Sequence, residues 1–317
     1  MPLKPERLCP GDTIGIVAPA SPPPDPKAID RAAMKLKSLN FKVKLGRHIR
    51  KRCGFLAGYD HERAGDLMRM FEDRGINAII CLRGGHGASR LLNLLDFRSI
   101  RANRKILLGY SDITSLHCAL LKKANLVSFH GPMLNSELVR EDLPEFTLKS
   151  FLGTLCEAKP ANSICAGYRG KTVSVLRGGK ARGSLIGGNL SIVCAMLGTP
   201  WQPSFEGRIL FIEDLEEAPY RIDRMLTHLL NAGLLQQVAG IAVGINRNCV
   251  DPKAKSAREY RQTAEDVLRE RLLPLKVPVV IGLPFGHVPF NATLPVGVEA
   301  ELDGSAGDLV ITESAVK

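Results

Sequence analysis

Ser111 stands where an apolar run stops. Ile106-Leu107-Leu108-Gly109 has the make-up of a short buried strand, and Ser115-Leu116-His117-Cys118-Ala119-Leu120-Leu121 continues with helical spacing. A serine at such a turn holds its hydroxyl clear of the sheet, and the amides that follow lie at the positive end of a helix. That geometry suits a nucleophile beside an oxyanion hole, the chemistry of acyl transfer. A helix N-cap accounts for the same residue, and this segment taken alone favours the cap.

A nucleophilic serine needs a general base, and the base needs an acid to orient it. Among the seven histidines, His48 and His61 lie in polar stretches and His228 in a helical segment beside Arg224 and Met225. His117 follows Ser111 in the same helix, which directs its side chain away from the turn. His130 closes the strand-like Phe129-His130-Gly131-Pro132 and stays open as a base near the active edge. His287 ends the apolar Gly282-Leu283-Pro284-Phe285-Gly286, where a flanking glycine permits close approach of other backbone. For each lone histidine a structural role is the competing reading.

Glu213 ends the apolar strand Ile209-Leu210-Phe211-Ile212, a position that fixes a carboxylate well enough to orient an imidazole. Asp214, Glu216 and Glu217 read more simply as acids ahead of a helix N-terminus. Asp112 reads as a residue that fixes the serine turn. The set that meets the chemical requirement is Ser111, Glu213 and His287. This is the chain order of α/β-hydrolases, but Gly109-Tyr110-Ser111-Asp112-Ile113 lacks the second glycine of G-x-S-x-G. The turn Arg83-Gly84-Gly85-His86-Gly87 has neither G-x-G-x-x-G spacing nor a Walker lysine, so its amides at Gly84 or Gly85 read as oxyanion donors and not as a phosphate cradle.

Positioning these residues requires alternating strands and helices. Strands are expected at Thr13–Ala18, Phe41–Leu45, Asn77–Leu82, from Ile106 and at Leu126–Phe129, with helices at about Lys27–Leu39 and Glu62–Phe71. The alternation predicts an α/β domain with a parallel sheet and helices on both sides, and ligands bind beyond the carboxyl ends of such strands. The glycine turn and the serine turn both fall on that edge. Composition changes over residues 151–182, and strands recur at Arg208–Ile212, Gly240–Ile245, Val277–Leu283, Val298–Leu302 and Leu309–Thr312. Helices are expected at Leu190–Leu197 and Pro219–Leu230. The division is therefore an N-terminal domain over 1–150 carrying the nucleophile, a linker over 151–174, and a β-rich domain over 175–317 carrying acid and base.

Composition narrows the function classes. The 317 residues, 45% hydrophobic and 24% charged, contain no membrane-length apolar run and no apolar leader at the N-terminus, which predicts a cytoplasmic protein. Eight scattered cysteines without a C-x-x-C pair read as reduced apolar residues, and the histidines lack metal-ligand spacing, so neither metal nor cofactor is expected. The net charge of +11 is concentrated in residues 1–150, with 25 Lys/Arg against 15 Asp/Glu. Nucleic-acid binding is the non-enzyme alternative. The basic clusters at Lys42–Arg52 and Arg98–Lys105 lack interleaved aromatics, so neither a nucleic acid nor a membrane is expected as partner. A solvated basic surface or the attraction of an anionic small substrate accounts for the charge.

Taken together, these segments resemble the LD-carboxypeptidase family of serine peptidases, which includes muramoyltetrapeptide carboxypeptidases and microcin C self-immunity proteins. The resemblance rests on Pro10–Ser21, Leu82–Gly85, Leu108–Thr114, His130–Met133, Gly187–Ser191, Leu210–Asp214, Pro219–Leu226 and Gly286-His287, in family order over nearly the whole chain. It implies a Ser–His–Glu triad on Ser111, His287 and Glu213, with oxyanion amides at Asp112 and at Gly84 or Gly85. It also implies a flavodoxin-like N-terminal domain, a swivelling β-rich C-terminal domain, a homodimer, and release of the terminal D-alanine from cytoplasmic murein tetrapeptides without metal or cofactor. The alternative within the family is hydrolysis of a peptide-nucleotide of the microcin C type, for which Trp201 is the one tryptophan able to stack on a base. Family members often carry tyrosine in the glycine turn where this chain has His86, so His86 is expected to bear on substrate contacts. A carboxypeptidase must hold a free carboxylate, for which Arg83 and Arg221 are candidates. Asn189 is a candidate for substrate amides, with an N-cap as its structural alternative.

Overall fold

The computed structural model describes residues 1–170, 173–251 and 262–317. The first sheet is built from β1 (Thr13–Val17), β2 (Lys42–Leu45), β3 (Ala78–Cys81), β4 (Ile106–Gly109) and β5 (Ser128–His130), joined by α1 (Ala28–Ser38), α2 (Asp60–Glu72), α3 (Phe97–Ala102) and α4 (Thr114–Ala119). These five strands pair in parallel in the order β2-β1-β3-β4-β5, the flavodoxin-like arrangement. Every residue of β3 and β4 is buried, as expected of strands covered by helices on both faces. Chain order reverses between β1 and β3, so the loops that follow these two strands meet at the crevice where such sheets bind ligands. Ser21 is on one of those loops and the glycine turn on the other.

The second sheet has eight strands in the order β6-β14-β13-β8-β9-β10-β11-β7. Its centre is β8 (Lys180–Asn189), β9 (Ile209–Glu213), β10 (Gly240–Val243) and β11 (Val279–Ile281), all parallel to one another. β7 (Ser174–Arg177) flanks β11. On the other side β13 (Glu299–Asp303), β14 (Asp308–Ser314) and β6 (Pro160–Ser163) continue it antiparallel. In β13 the residues Ala300 and Leu302 point inward and alternate with Glu299, Glu301 and Asp303, the period of a half-buried strand. Helices α6 (Leu190–Ala195), α7 (Pro219–Asn231) and α8 (Ala264–Leu272) pack with these strands.

Two connections differ from the expected partition. Residues 151–174 were expected as a linker, yet α5 (Glu145–Cys156) runs into them, burying Phe151 and Leu155, and β6 pairs with β14. Residues 171 and 172 of that stretch lie outside the described residues. In the opposite direction, β12 (Leu294–Val296) leaves the C-terminal half and pairs antiparallel with β5 at the edge of the first sheet. The long strand β8 was also unannounced. Its inward residues in the first half are Ala181 and Gly183, too small to give an apolar alternation, and a side chain at Gly183 would lie 2.3 Å from the Gly207 carbonyl oxygen. Among the described residues no helix is long and apolar enough to cross a membrane.

The two sheets meet at the serine turn. Thr114, in the first turn of α4, accepts the Asn189 amide at 3.0 Å on its hydroxyl. Gly188 lies against the same threonine with φ +137°, and a Cβ there would come within 2.4 Å of Thr114 Oγ1. Only glycine allows the end of β8 to approach this closely.

Candidate active site

Ser111 has φ +61°, a left-handed conformation uncommon for a residue with a side chain. Strain of this kind is held in place by its surroundings and gathers at functional turns. Tyr110 before it is extended, and a short 3-10 turn, Ser111–Ile113, leads into α4. Neither that turn nor α4 carries a side-chain cap, and among the described residues Ser111 Oγ makes no hydrogen bond. The N-cap alternative therefore does not describe this serine.

The glycine turn folds over it. A Cβ at Gly84 would stand 2.9 Å from Ser111 Cβ and 3.2 Å from Ser111 Oγ, so only a glycine lets the turn come this near. Gly85, at φ +113°, leaves room for Ser21, whose Oγ would lie 2.4 Å from any Cβ. Ser21 Oγ accepts the His86 amide at 3.1 Å and the Ser21 amide donates to the Gly84 carbonyl at 3.3 Å. Arg63, buried in α2, donates to the carbonyls of Pro19 and Gly87 and pairs with Asp60. Asp112 Oδ2 accepts the Ala88 amide at 2.7 Å, which ties the serine turn to the glycine turn. With those bonds in place, the amides of Gly84, Gly85 and Asp112 make no hydrogen bond within the described residues.

Glu213 and His287 arrive from the second sheet. Glu213 is fully buried at the end of β9, beside Asn189 at the end of β8. His287 Nδ1 lies 2.6 Å from Glu213 Oε2. Gly286 makes the approach possible, since at φ +113° it presents no Cβ where one would meet Glu213 Oε2 at 2.9 Å. Burial is the largest influence on His287 and favours the neutral ring. The hydrogen bond and charge of Glu213, with Glu137 and Asp214 behind it, outweigh burial and raise the imidazole above its ordinary value. Tyr110, next to the serine, packs its ring against His287 edge to face at 4.8 Å.

The remaining predicted residues divide. Arg83 is half-buried beside the glycine turn and donates to the Pro22 carbonyl at 3.3 Å. His86 is exposed, its ring edge-on to Phe55 at 5.3 Å. Arg221 lies on the exposed start of α7 and engages Glu217 and Tyr220, the surface pairing that competes with a substrate role. Asn189 caps α6 through the Ile192 amide, while its Nδ2 donates to Asp214 at 2.9 Å and reaches Glu213 at 3.5 Å. Its side chain is thus spent on holding the acid. His130 is wholly buried among Tyr110, Phe211 and Phe285, and burial keeps its ring neutral. His117, expected to point away from the turn, reaches back beneath it. Its Nε2 meets the Gly109 carbonyl at 2.8 Å and its Nδ1 meets Ser128 Oγ at 2.9 Å.

Sequence reasoning missed Ser21, Arg63, Tyr110 and Glu137. One signal was available for Arg63, a cation directly ahead of the apolar positions 64, 67, 70 and 71 of α2. The others act through loop geometry that no periodicity reveals.

Comparison with known proteins agrees with this arrangement. Residues 14–131 match the LD-carboxypeptidase N-terminal domain and residues 182–302 the LD-carboxypeptidase C-terminal domain. The chain is 40% identical to the probable murein peptide carboxypeptidase of Bacillus subtilis (strain 168), covering 99% of this chain and 97% of that one. The crystal structure of muramoyltetrapeptide carboxypeptidase from Oxalobacter formigenes superposes with a TM-score of 0.80 at 34% identity, covering 95% of this chain and 99% of that one. The structure of the microcin C7 self-immunity protein MccF in complex with glutamyl sulfamoyl guanosine gives 0.87 at 27% identity, over the whole of both chains. A family match over most of both halves, on a fold that brings a free serine, a glycine turn and a Glu–His pair to one edge, identifies this chain as a member of the LD-carboxypeptidase family.

Proposed function

We propose that this chain is a serine carboxypeptidase that cuts the L,D bond before the terminal D-alanine of murein tetrapeptides in the cytoplasm. The observation that carries the reading is the Glu213–His287 pair at 2.6 Å, delivered to the sheet edge that presents the uncapped Ser111. His287 takes the Ser111 proton as Oγ attacks the scissile carbonyl carbon. Glu213 holds Nδ1–H and balances the imidazolium that forms. The carbonyl oxygen becomes an oxyanion facing the amides of Asp112 and of Gly84 or Gly85, and one such donor contributes about a hundredfold or more in rate. The tetrahedral intermediate expels the amine of D-alanine, which takes its proton from His287. Water, deprotonated by the same histidine, then attacks the ester carbonyl, and the serine leaves with the returned proton.

Arg83, beside the glycine turn, is the residue we assign to the free carboxylate of the terminal D-alanine. Burial disfavours its charge, as it would for any guanidinium held out of water awaiting an anion. Purified wild-type protein is expected to release D-alanine from a murein tetrapeptide, and Ser111→Ala to lose that release by a factor of about 10³ or more. Release at the wild-type rate by Ser111→Ala would overturn the assignment.

The likeness to MccF favours a second substrate class, a peptide-nucleotide processed by the same three residues. Trp201, the one tryptophan, packs half-buried against the cluster that contains Leu116 and Met196. Parallel assays on the two substrates decide between them.

A further inference from the structure

Glu137 is a buried acid that the triad does not use. It lies in a one-turn π-helical segment, Leu134–Leu138, an irregularity common at functional sites. Three donors converge on its carboxylate. Tyr110 Oη reaches Oε1 at 2.6 Å, while Ser136 Oγ at 2.6 Å and the Met133 amide at 3.0 Å reach Oε2. Tyr110 is the link. Its hydroxyl is held by Glu137 while its ring packs on the imidazole of His287. Glu137, Tyr110 and His287 also share the wall of one cavity of about 650 Å³.

We propose that Glu137 and Tyr110 form a second positioning pair for His287, resting on the reading of His287 as the base. Tyr110 packs edge to face on the ring and so fixes its plane, a restraint additional to the bond to Glu213. Glu137 adds a second negative charge behind it, which favours the imidazolium formed when Ser111 is deprotonated. Three donors favour the ionised carboxylate of Glu137, while burial outweighs them and raises its affinity for a proton above the ordinary glutamate value, so the ionised form depends on keeping those donors. The other charged or titratable neighbours of His287 are Glu213 and Asp214 at the end of β9, the neutral His130 beyond Tyr110, and Arg247, which donates to the His287 carbonyl oxygen at 3.3 Å. Glu137 is the source of imidazolium stabilisation that comes from outside the second sheet and its strand-end loop, in addition to Glu213 and Asp214.

The test is the pH profile of kcat/KM for D-alanine release from a murein tetrapeptide by wild-type, Glu137→Gln and Tyr110→Phe protein. Removing the carboxylate charge, or the hydroxyl that favours its ionised form, weakens the hold on the imidazolium. The acid limb is therefore expected to move to lower pH, by about half a unit or more, in both variants. kcat is expected to fall several-fold with KM little changed, since the pair touches the base and not the substrate. Tyr110→Phe keeps the ring and the packing, so it decides the matter should Glu137→Gln fail to fold. An active wild type whose acid limb stays in place in each folded variant overturns this inference alone. A wild type that releases no D-alanine removes the reaction and this inference together.

Discussion

Glu213 and His287 show how one short contact sets the working pH of a side chain. On the proposed mechanism the His287 ring has to be neutral to accept the Ser111 proton, and Glu213 favours its charged form. Activity is therefore expected to rise with pH through a midpoint above the ordinary histidine value of about 6.5. In Glu213→Gln the desolvation of the ring remains while the charge and its hydrogen bond weaken. The acid limb should then fall toward or below that value, with kcat lower by about 10²–10⁴, both read from a pH–rate profile. An acid limb unmoved in Glu213→Gln would mean another carboxylate orients the base. At this scale much of the site was legible. Ser111, Glu213 and His287 each end an apolar run, and the end of a buried run is where a polar residue is held in place at the edge of a sheet. Ser21 and Glu137 were not legible because a loop serine and a surface-like glutamate gain meaning only from what folds over them.

At the scale of elements, the serine turn is braced from beneath by His117. This residue of α4 grips the Gly109 carbonyl at the end of β4 and the Ser128 hydroxyl on β5. Burial pulls its ring down to about 4 from an ordinary value of 6.5. The folded protein thus resists protonation of His117 while the unfolded chain accepts it. Above pH 6.5 the contribution is complete, and it is lost progressively as pH falls toward 4, to a limit of about 3 kcal/mol. Urea midpoints at pH 7 and pH 4.5 should differ, and His117→Gln should shrink that difference while lowering stability at pH 7. The strand–helix alternation of the first half could be read from its buried runs, because β3 and β4 are apolar throughout. β8 could not, because Gly183, Gly187 and Gly188 are present for close approach and not for hydrophobicity. Gly187→Ala, which would set a Cβ 1.8 Å from the Phe211 carbonyl oxygen, is expected to prevent soluble expression or lower the melting temperature by ten degrees or so.

Across the whole molecule, part of the basic surface of the first half is paired in place. Within Lys42–Arg52, Lys44 pairs with Asp73, Arg50 with Asp30 and Lys51 with Glu62. Lys105, in the second basic cluster, donates to backbone carbonyls at the end of α2. The excess of 25 Lys/Arg over 15 Asp/Glu in residues 1–150 is unchanged by such pairing. A cluster read along a sequence nonetheless overstates its local charge, because the acids that pair with it lie elsewhere in the chain. The same blindness hid β12, whose Leu294-Pro295-Val296 is too brief to announce a strand and has its partner in the other half of the chain. A chain ended at residue 290 keeps Ser111, Glu213 and His287 yet loses β12, β13 and β14. It is expected to lack a cooperative thermal transition by circular dichroism, and a sharp transition near that of the full chain would show the first sheet to be self-sufficient.

The return of β12 to the first sheet also orders events on the ribosome. Strands β1 to β5 leave the exit tunnel early, but the outer edge of β5 stays bare until residue 296 has followed. Through most of translation the nascent protein therefore carries Ser111 without His287 and exposes a sheet edge open to foreign pairing. His287 and the strand that closes that edge emerge almost together, so the first sheet is completed and the proposed base supplied in one late step.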